Sequence, residues 1–330
     1  MATQDLHRLS ARDAARRIAA GDLTSEALVR ACLERMTARD GAVEAWAYLD
    51  PERALAEARA RDRETPRGAL HGVPIGVKDI MDTADQPTAY GSRAWEGHRP
   101  VADAACVALA RAAGAVILGK TVSTEFAMMA PGKTRNPHDP TRTPGGSSSG
   151  SAASVADFMV PLAFGTQTAG STLRPASYCG VVGFKPSWGL VAGAGTKPLS
   201  LILDTIGGIA RSVTDIALFI GALTGRSELV PEAPASAPRI GLYQPERFAK
   251  AEPATVAALD HAARRFAQAG AIVSERKSFA AFDGLIPGSE AILGYDASRN
   301  LAWERANRRA TLADRTNQLL DDGATVSAAS

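Results

Sequence analysis

The chain has 330 residues, 45% hydrophobic and 22% charged, with a formal net charge of +2 from 37 basic and 35 acidic side chains. That length supports one large core or two small ones, and charge this evenly mixed, with no basic stripe or acidic tail, argues against a nucleic-acid partner. Cys32, Cys106 and Cys179 are too scattered for a disulfide framework or a zinc site, no apolar run reaches membrane-spanning length, and residues 1–17 lack the apolar segment of a leader, so the expected setting is a reducing cytoplasm.

In chain order, the first 65 residues read as helices. An amphipathic run over 25–39 starts after Thr24, an N-cap candidate, and is expected to stop at Gly41. Pro51 opens a second helix through residue 63. Residues 72–78 are short, apolar and bounded by Gly and Pro, which predicts a buried strand feeding a loop. A helix over 103–113 ends at Gly114, and 115–118 is a buried strand. A long polar loop then fills 121–151. A loop of that length between apolar segments is expected to be functional.

Residues 152–157 read as a short helix. Residues 160–164 form a strand that runs into Gly165-Thr166-Gln167-Thr168-Ala169-Gly170-Ser171. Helices resume after 181–185. The Pro/Ala-rich stretch 229–238 reads as a surface linker. Residues 240–243 and 271–274 are strands around a helix over 253–269, and the remainder of the chain reads as mostly helical. Strands alternating with helices predict an α/β fold on a central sheet flanked by helices. The expected organisation is one domain over 1–330: a helical segment 1–65, a core 66–226 and a C-terminal portion 227–330.

Two motifs are decoys. Residues 114–121 match the phosphate-loop pattern, but their four variable positions are Ala115, Val116, Ile117 and Leu118, which belong in a sheet. Residues 146–150 match the GxSxG nucleophile elbow. No strand precedes them, and the one later histidine, His261, lies in a helical run and reads as a helix-surface residue.

Without a usable histidine, a serine hydrolase needs another base, and a lysine serves if burial lowers its pKa. Lys78 follows an apolar stretch that could desolvate it; alternatively it pairs with Asp79. The Gly145–Ser151 segment offers hydroxyls on a conformationally free backbone, or is a flexible linker. Residues 165–171 place backbone N–H groups where an oxyanion could collect them, or form an ordinary turn with a capping serine.

Taken together, Gly72-Val73-Pro74-Ile75-Gly76-Val77-Lys78-Asp79, Pro144-Gly145-Gly146-Ser147-Ser148-Ser149-Gly150-Ser151-Ala152, the 165–171 block and Cys179-Gly180-Val181-Val182-Gly183-Phe184-Lys185-Pro186 resemble, in order, the blocks of the amidase signature family. The resemblance implies a central mixed sheet, no metal or other cofactor, and Lys78, Ser147 and Ser171 as the catalytic set. Ser171 is then the nucleophile. Ser147, held in the family by a cis peptide, relays the proton, and Lys78 is base and then acid. Backbone N–H groups of Thr168, Ala169, Gly170 and Ser171 would form the oxyanion hole. One departure stands out: the family usually has Gly-Gly before the nucleophile. Ala169 would crowd the hole if its φ were positive.

Arg174 lies one helical turn beyond Ser171, where a guanidinium could clamp a substrate carboxylate or make a structural ion pair. The Ser-x-x-Arg-Pro text is similar to the malonamidase-type branch, which implies a small carboxylate-bearing amide and is compatible with a homodimer. A second reading is an amidotransferase A-type subunit working with partner chains. A third is an inactive, shortened member. The chain is short for the family, and no Val/Ile-rich run follows residue 274. The expectation is a sheet without its C-terminal strands and a pocket open on one side.

Overall fold

The three apolar runs bounded by Gly and Pro form the centre of the sheet. They are β2 (Pro74–Lys78), β3 (Val116–Thr121) and β4 (Leu162–Gln167), and every residue in them is buried. A computed structural model describes residues 3–229, 236–244, 246–276, 282 and 284–327. Three further strands complete this sheet: β1 (Trp46–Leu49), β5 (Val182–Phe184) and β6 (Thr205–Ala210). Their order is β1-β3-β2-β4-β6-β5. β2 runs parallel to both β3 and β4, while β1, β6 and β5 pair antiparallel with their neighbours, so the sheet is mixed.

Alternation along the strands divides the core in two. Ile75, Val77, Ile117, Leu162 and Phe164 join one apolar cluster with α4 (Ala105–Ala112) and α7 (Val213–Thr224). Val116, Leu118, Ala163 and Ile209 join the other, with α2 (Ser25–Val43), α3 (Pro51–Asp62) and α5 (Ser149–Ala156). The remaining helices are α1 (Ala11–Ala19), α6 (Leu173–Tyr178), α8 (Pro253–Gln268), α9 (Leu285–Asn300), α10 (Ala302–Asn307) and α11 (Asp314–Ala324).

Internal contacts divide the chain into two units. One comprises Met1–Val230 and Ala291–Ser330, the other Pro231–Glu290. The second contains β7 (Arg239–Tyr243) and β8 (Ile272–Arg276), paired parallel in a sheet of their own. Among the described residues after Arg276, all regular structure is helical. β4, which leads to Ser171, is an inner strand between β2 and β6; the edges of the large sheet are β1 and β5. Of the linker read over 229–238, residues 230–235 lie outside those described.

Three local expectations are corrected. Helices do not resume directly after 185, because residues 205–210 first pair antiparallel with β4 and β5 as β6. The first 65 residues are not all helical, because Trp46-Ala47-Tyr48-Leu49 pairs with β3 as an edge strand. Four residues are too few for an alternation pattern to register. Nor does Gly41 stop α2, which is capped by the Thr24 hydroxyl as expected but continues to Val43. The stop comes at Glu44, at φ 54°, whose N–H donates to the Asp40 carbonyl, while the Asp40 carboxylate takes the Ala45 N–H at 2.6 Å.

Gly150 sits where α5 begins against the β1–β3 edge, and a Cβ there would overlap the Ala45 carbonyl oxygen and the Val122 nitrogen. A Cβ on Gly41 would meet nothing within 4 Å. Gly150→Ala is therefore expected to lose about 1–3 kcal/mol or more through overpacking against backbone. Gly41→Ala should gain about 0.5–1 kcal/mol, because glycine in a helix is entropically costly. Urea denaturation of both variants reads the contrast, and equal midpoints would contradict it.

Candidate active site

The serine-rich loop is tied down from the end of β3. The Thr124 N–H donates to the Ser147 carbonyl at 3.2 Å, the Gly150 N–H to the Val122 carbonyl at 3.0 Å, and the Ser151 and Thr121 hydroxyls meet at 2.7 Å. Asn136 closes the upstream arm by donating to the carbonyls of Thr143 and Tyr178. Gly145 takes a φ of +75°, and the Gly146–Ser147 peptide is cis. The flexible-linker alternative does not describe this segment, since Ser147, Ser148, Ser149 and Ser151 are all buried.

Lys78, the last residue of β2, is fully buried. Its Nζ donates to Ser147 Oγ at 2.8 Å and to Thr166 Oγ1 at 2.7 Å. Both partners are hydroxyls. Asp79 is engaged elsewhere: its carboxylate lies 3.4 Å from Lys120 Nζ and accepts the N–H groups of Ala89 and Gly91. Burial pushes the Lys78 amine down from 10.5 to about 7, with the negative charge of Asp204 acting the other way.

Ser171 stands between β4 and α6, 7% exposed. Gln167 staples the two ends of this turn, its Oε1 accepting the Thr172 and Leu173 N–H groups at 3.1 and 3.0 Å. Asp204 holds the turn from the side, taking the Thr168 hydroxyl at 2.6 Å and the Leu199 and Ser200 N–H groups at 2.7 and 3.0 Å. The N–H groups of Thr168, Ala169, Gly170 and Ser171 have no protein acceptor among the described residues. Ala169 does not adopt a positive φ, so its Cβ is accommodated without left-handed strain. The Ser148 N–H donates to the Ser171 carbonyl at 3.2 Å, which links the two serine segments. The structure thus joins Lys78 directly to Ser147 and brings Ser171 alongside through backbone. The Ser171 hydroxyl itself has no partner among the described residues.

Arg174 is exposed on α6. Its Nε donates to the Gly146 carbonyl at 3.0 Å, and its guanidinium carbon lies 3.9 Å from the point a Cβ on Gly170 would occupy. It makes no ion pair among the described residues. On the Thr168 side lies a cavity of about 330 Å³ reached by Thr166, Thr168 and Asp204; Ser171 and Arg174 are not in its wall.

The phosphate-loop decoy is β3 itself. Gly119 and Lys120 are strand residues, and Lys120 Nζ is spent on Asp79, the Met81 carbonyl and the Thr88 hydroxyl. His261 is exposed on α8. Sequence reasoning missed Thr166 and Asp204. Thr166 lies in a block already singled out, one step inside the strand end. Asp204 carries no local signal and matters through contacts made 36 residues away.

The mixed sheet between helical layers is an α/β fold shared with solved amidases. The Amidase family model matches residues 27–328, and the chain belongs to that family, the amidase signature family. A solved amidase superposes with a TM-score of 0.88 at 32% identity, covering 97% of this chain and 74% of that one. The peptide amidase from Stenotrophomonas maltophilia gives a TM-score of 0.82 at 33% identity, covering 96% and 75%. The glutamyl-tRNA(Gln) amidotransferase A-type subunit from Chloroflexus aurantiacus is 42% identical over 231 residues, 67% of this chain and 47% of that protein. The protein of the same name from Salinispora arenicola is 38% identical over 326 residues, 90% of this chain and 66% of that protein. The chain thus spans about half the length of several curated relatives it matches. No helix among the described residues is long and apolar enough to cross a membrane.

The lowered pKa of Lys78 has a consequence for stability. Between about 7 in the folded chain and its ordinary 10.5, the unfolded chain binds the extra proton, so the cost of burying this group shrinks as pH rises. The penalty is largest below the folded value and absent above 10.5. Lys78→Met removes it. The stability of Lys78→Met relative to wild type should therefore fall by up to about 1.4 kcal/mol per pH unit across that window. Denaturant unfolding of both proteins at about pH 7, 8 and 9 checks this, and a difference independent of pH would mean that Lys78 is not held neutral.

Proposed function

We propose that the chain hydrolyses an amide through an acyl-enzyme on Ser171, with Ser147 as proton relay and Lys78 as base and then acid. The observation that carries this reading is the buried Lys78 amine, whose hydrogen-bond partners among the described residues are both hydroxyls. A neutral amine has one lone pair. With one N–H given to Thr166, that lone pair can face Ser147 and accept its proton. Ser147 in turn takes the proton of Ser171, whose oxygen attacks the amide carbon. The Ser147–Ser171 link closes as substrate binds, in keeping with the tightening of catalytic hydrogen bonds in the substrate complex.

The oxyanion would collect the N–H groups of Thr168 to Ser171. Collapse breaks the C–N bond, and the proton on Lys78 returns through Ser147 to the leaving nitrogen. Water then attacks the acyl ester, gives its proton to the same relay, and releases the carboxylic acid and Ser171. No metal or other cofactor enters these steps. Arg174, beside the loop and without an acidic partner among the described residues, supports a small substrate bearing a carboxylate.

A second reading rests on the relatives named as amidotransferase subunits. There the same chemistry would release ammonia within a complex of several chains. Light scattering and copurification separate the two, since a homodimer fits the first reading and bound partner chains the second.

Ser171→Ala should abolish acyl-enzyme formation. Lys78→Ala should come close to it, with losses of about 10⁴-fold or more, because members of one catalytic unit do not lose activity additively. Turnover retained in Ser171→Ala would reject the assignment. The base works when neutral, so kcat/KM should rise with pH through about 7. Asp204→Asn removes the charge that raises the Lys78 pKa and should move that limb to lower pH. An unmoved limb would free Lys78 of the rate-determining ionisation.

A further inference from the structure

The turn that carries Ser171 has two chemically different flanks. On one, Arg174 places its guanidinium beside Gly170 and the Gly146 carbonyl, with no carboxylate partner among the described residues. On the other, Thr168 opens onto the cavity of about 330 Å³. That volume is at the lower end of ordinary small-molecule pockets, yet larger than a malonamate-sized half-amide needs, given that one water takes up about 30 Å³ of liquid.

The large apolar side chains in the cavity wall are Ile80, Trp188, Val191, Leu199, Leu201 and Ile206, and its hydroxyls come from Thr166, Thr168 and Thr196. Its two charged residues are already committed. Lys197 Nζ is paired with Glu304 Oε1 at 2.5 Å, an oxygen that also accepts Trp95 Nε1 at 3.0 Å. Asp204 takes three donors, from Thr168, Leu199 and Ser200. What negative charge Asp204 leaves in the cavity repels an anion. At the rim, Trp188 and Leu201 are 61% and 65% exposed and extend the apolar surface outward.

We propose that the site takes an amide flanked on one side by a carboxylate, bound at Arg174, and on the other by an uncharged apolar arm, bound in the cavity. This deepens the amidase reading and rests on it. A carbonyl held by the N–H groups of Thr168 to Ser171 has one substituent toward Gly170 and Arg174 and the other toward Thr168 and the cavity. The substrate is thus polar at one end and apolar at the other. It can be an N-acylated amino acid, with the arm on the acyl side, or an N-alkylated half-amide, with the arm on the amine side.

The test is calorimetric titration of Ser171→Ala, which cannot turn the ligands over, with N-acylglycines and N-alkylmalonamic acids of increasing chain length. The expected result is a Kd falling about fourfold per added methylene in one series until the cavity is full, the factor that about 0.8 kcal/mol per buried CH₂ gives. The series that shows the slope fixes the orientation. Trp188→Ala and Leu201→Ala, both at exposed positions, should flatten the slope. Arg174→Ala should weaken all chain lengths of that series by a similar factor. Binding independent of chain length in both series would overturn the proposal. So would tighter binding of an arm ending in an ammonium. Turnover is read separately with the wild-type protein: a binding slope without hydrolysis of any amide would refute the amidase reading and leave the two-flanked site standing.

Discussion

A buried amine held by two hydroxyls, with no carboxylate in contact among the described residues, is the constraint around which this structure is arranged. Lys78 is fully enclosed, and its hydrogen-bond partners among the described residues are the hydroxyls of Ser147 and Thr166. A charged ammonium there would lose its hydration with no counter-ion in contact among the described residues, so burial favours the neutral base. Such an arrangement holds only if both hydroxyls are fixed. Thr166 is fixed by lying within β4, an inner strand. Ser147 is fixed by a loop whose backbone is tied to the residues just beyond β3.

A second buried lysine shows what the first is spared. Lys120, in the adjacent strand, is enclosed to the same degree but faces Asp79, the residue directly after Lys78. Burial pushes the Lys120 amine down and the Asp79 carboxyl up, each opposed by the other's charge. Because Asp79 is drawn to Lys120 and to the backbone of Ala89 and Gly91, it is withheld from Lys78. The pair therefore does more than satisfy two buried charges. It keeps the nearest carboxylate away from the amine and leaves Asp204 as the acidic group whose field reaches it.

The same division of labour appears around Ser171. Gln167 caps α6 and fixes the ends of the turn, while Asp204 fixes its flank, and the backbone N–H groups between them have no acceptor among the described residues. Unpaired N–H groups are normally avoided in a folded chain. Their presence beside a buried amine is the kind of local inconsistency that marks a functional site. α9 and α10 support the segment that lines the cavity: Asp296 accepts the Ser200 hydroxyl and Glu304 holds Lys197.

By itself the sequence determined the order of the central elements and the amidase signature blocks. Apolar runs bounded by Gly and Pro mark β2, β3 and β4, because a buried parallel strand needs apolar residues on both faces. The same reasoning put Ala115 to Leu118 in a sheet and not around a phosphate; that Gly119 and Lys120 continue the strand came from the structure. Sequence reasoning did not find β1 or β6: four residues at an edge, and a Gly-containing strand, leave too weak a pattern, and pairing with β3 and β4 is what makes them strands. It named Lys78, Ser147 and Ser171 from block order, but left open whether Lys78 paired with Asp79. Tertiary structure decided that, because the choice depends on where Lys120 lies across the sheet. It also decided the roles of Thr166 and Asp204 and the apolar character of the cavity, for these follow from side chains far apart in the chain meeting in space.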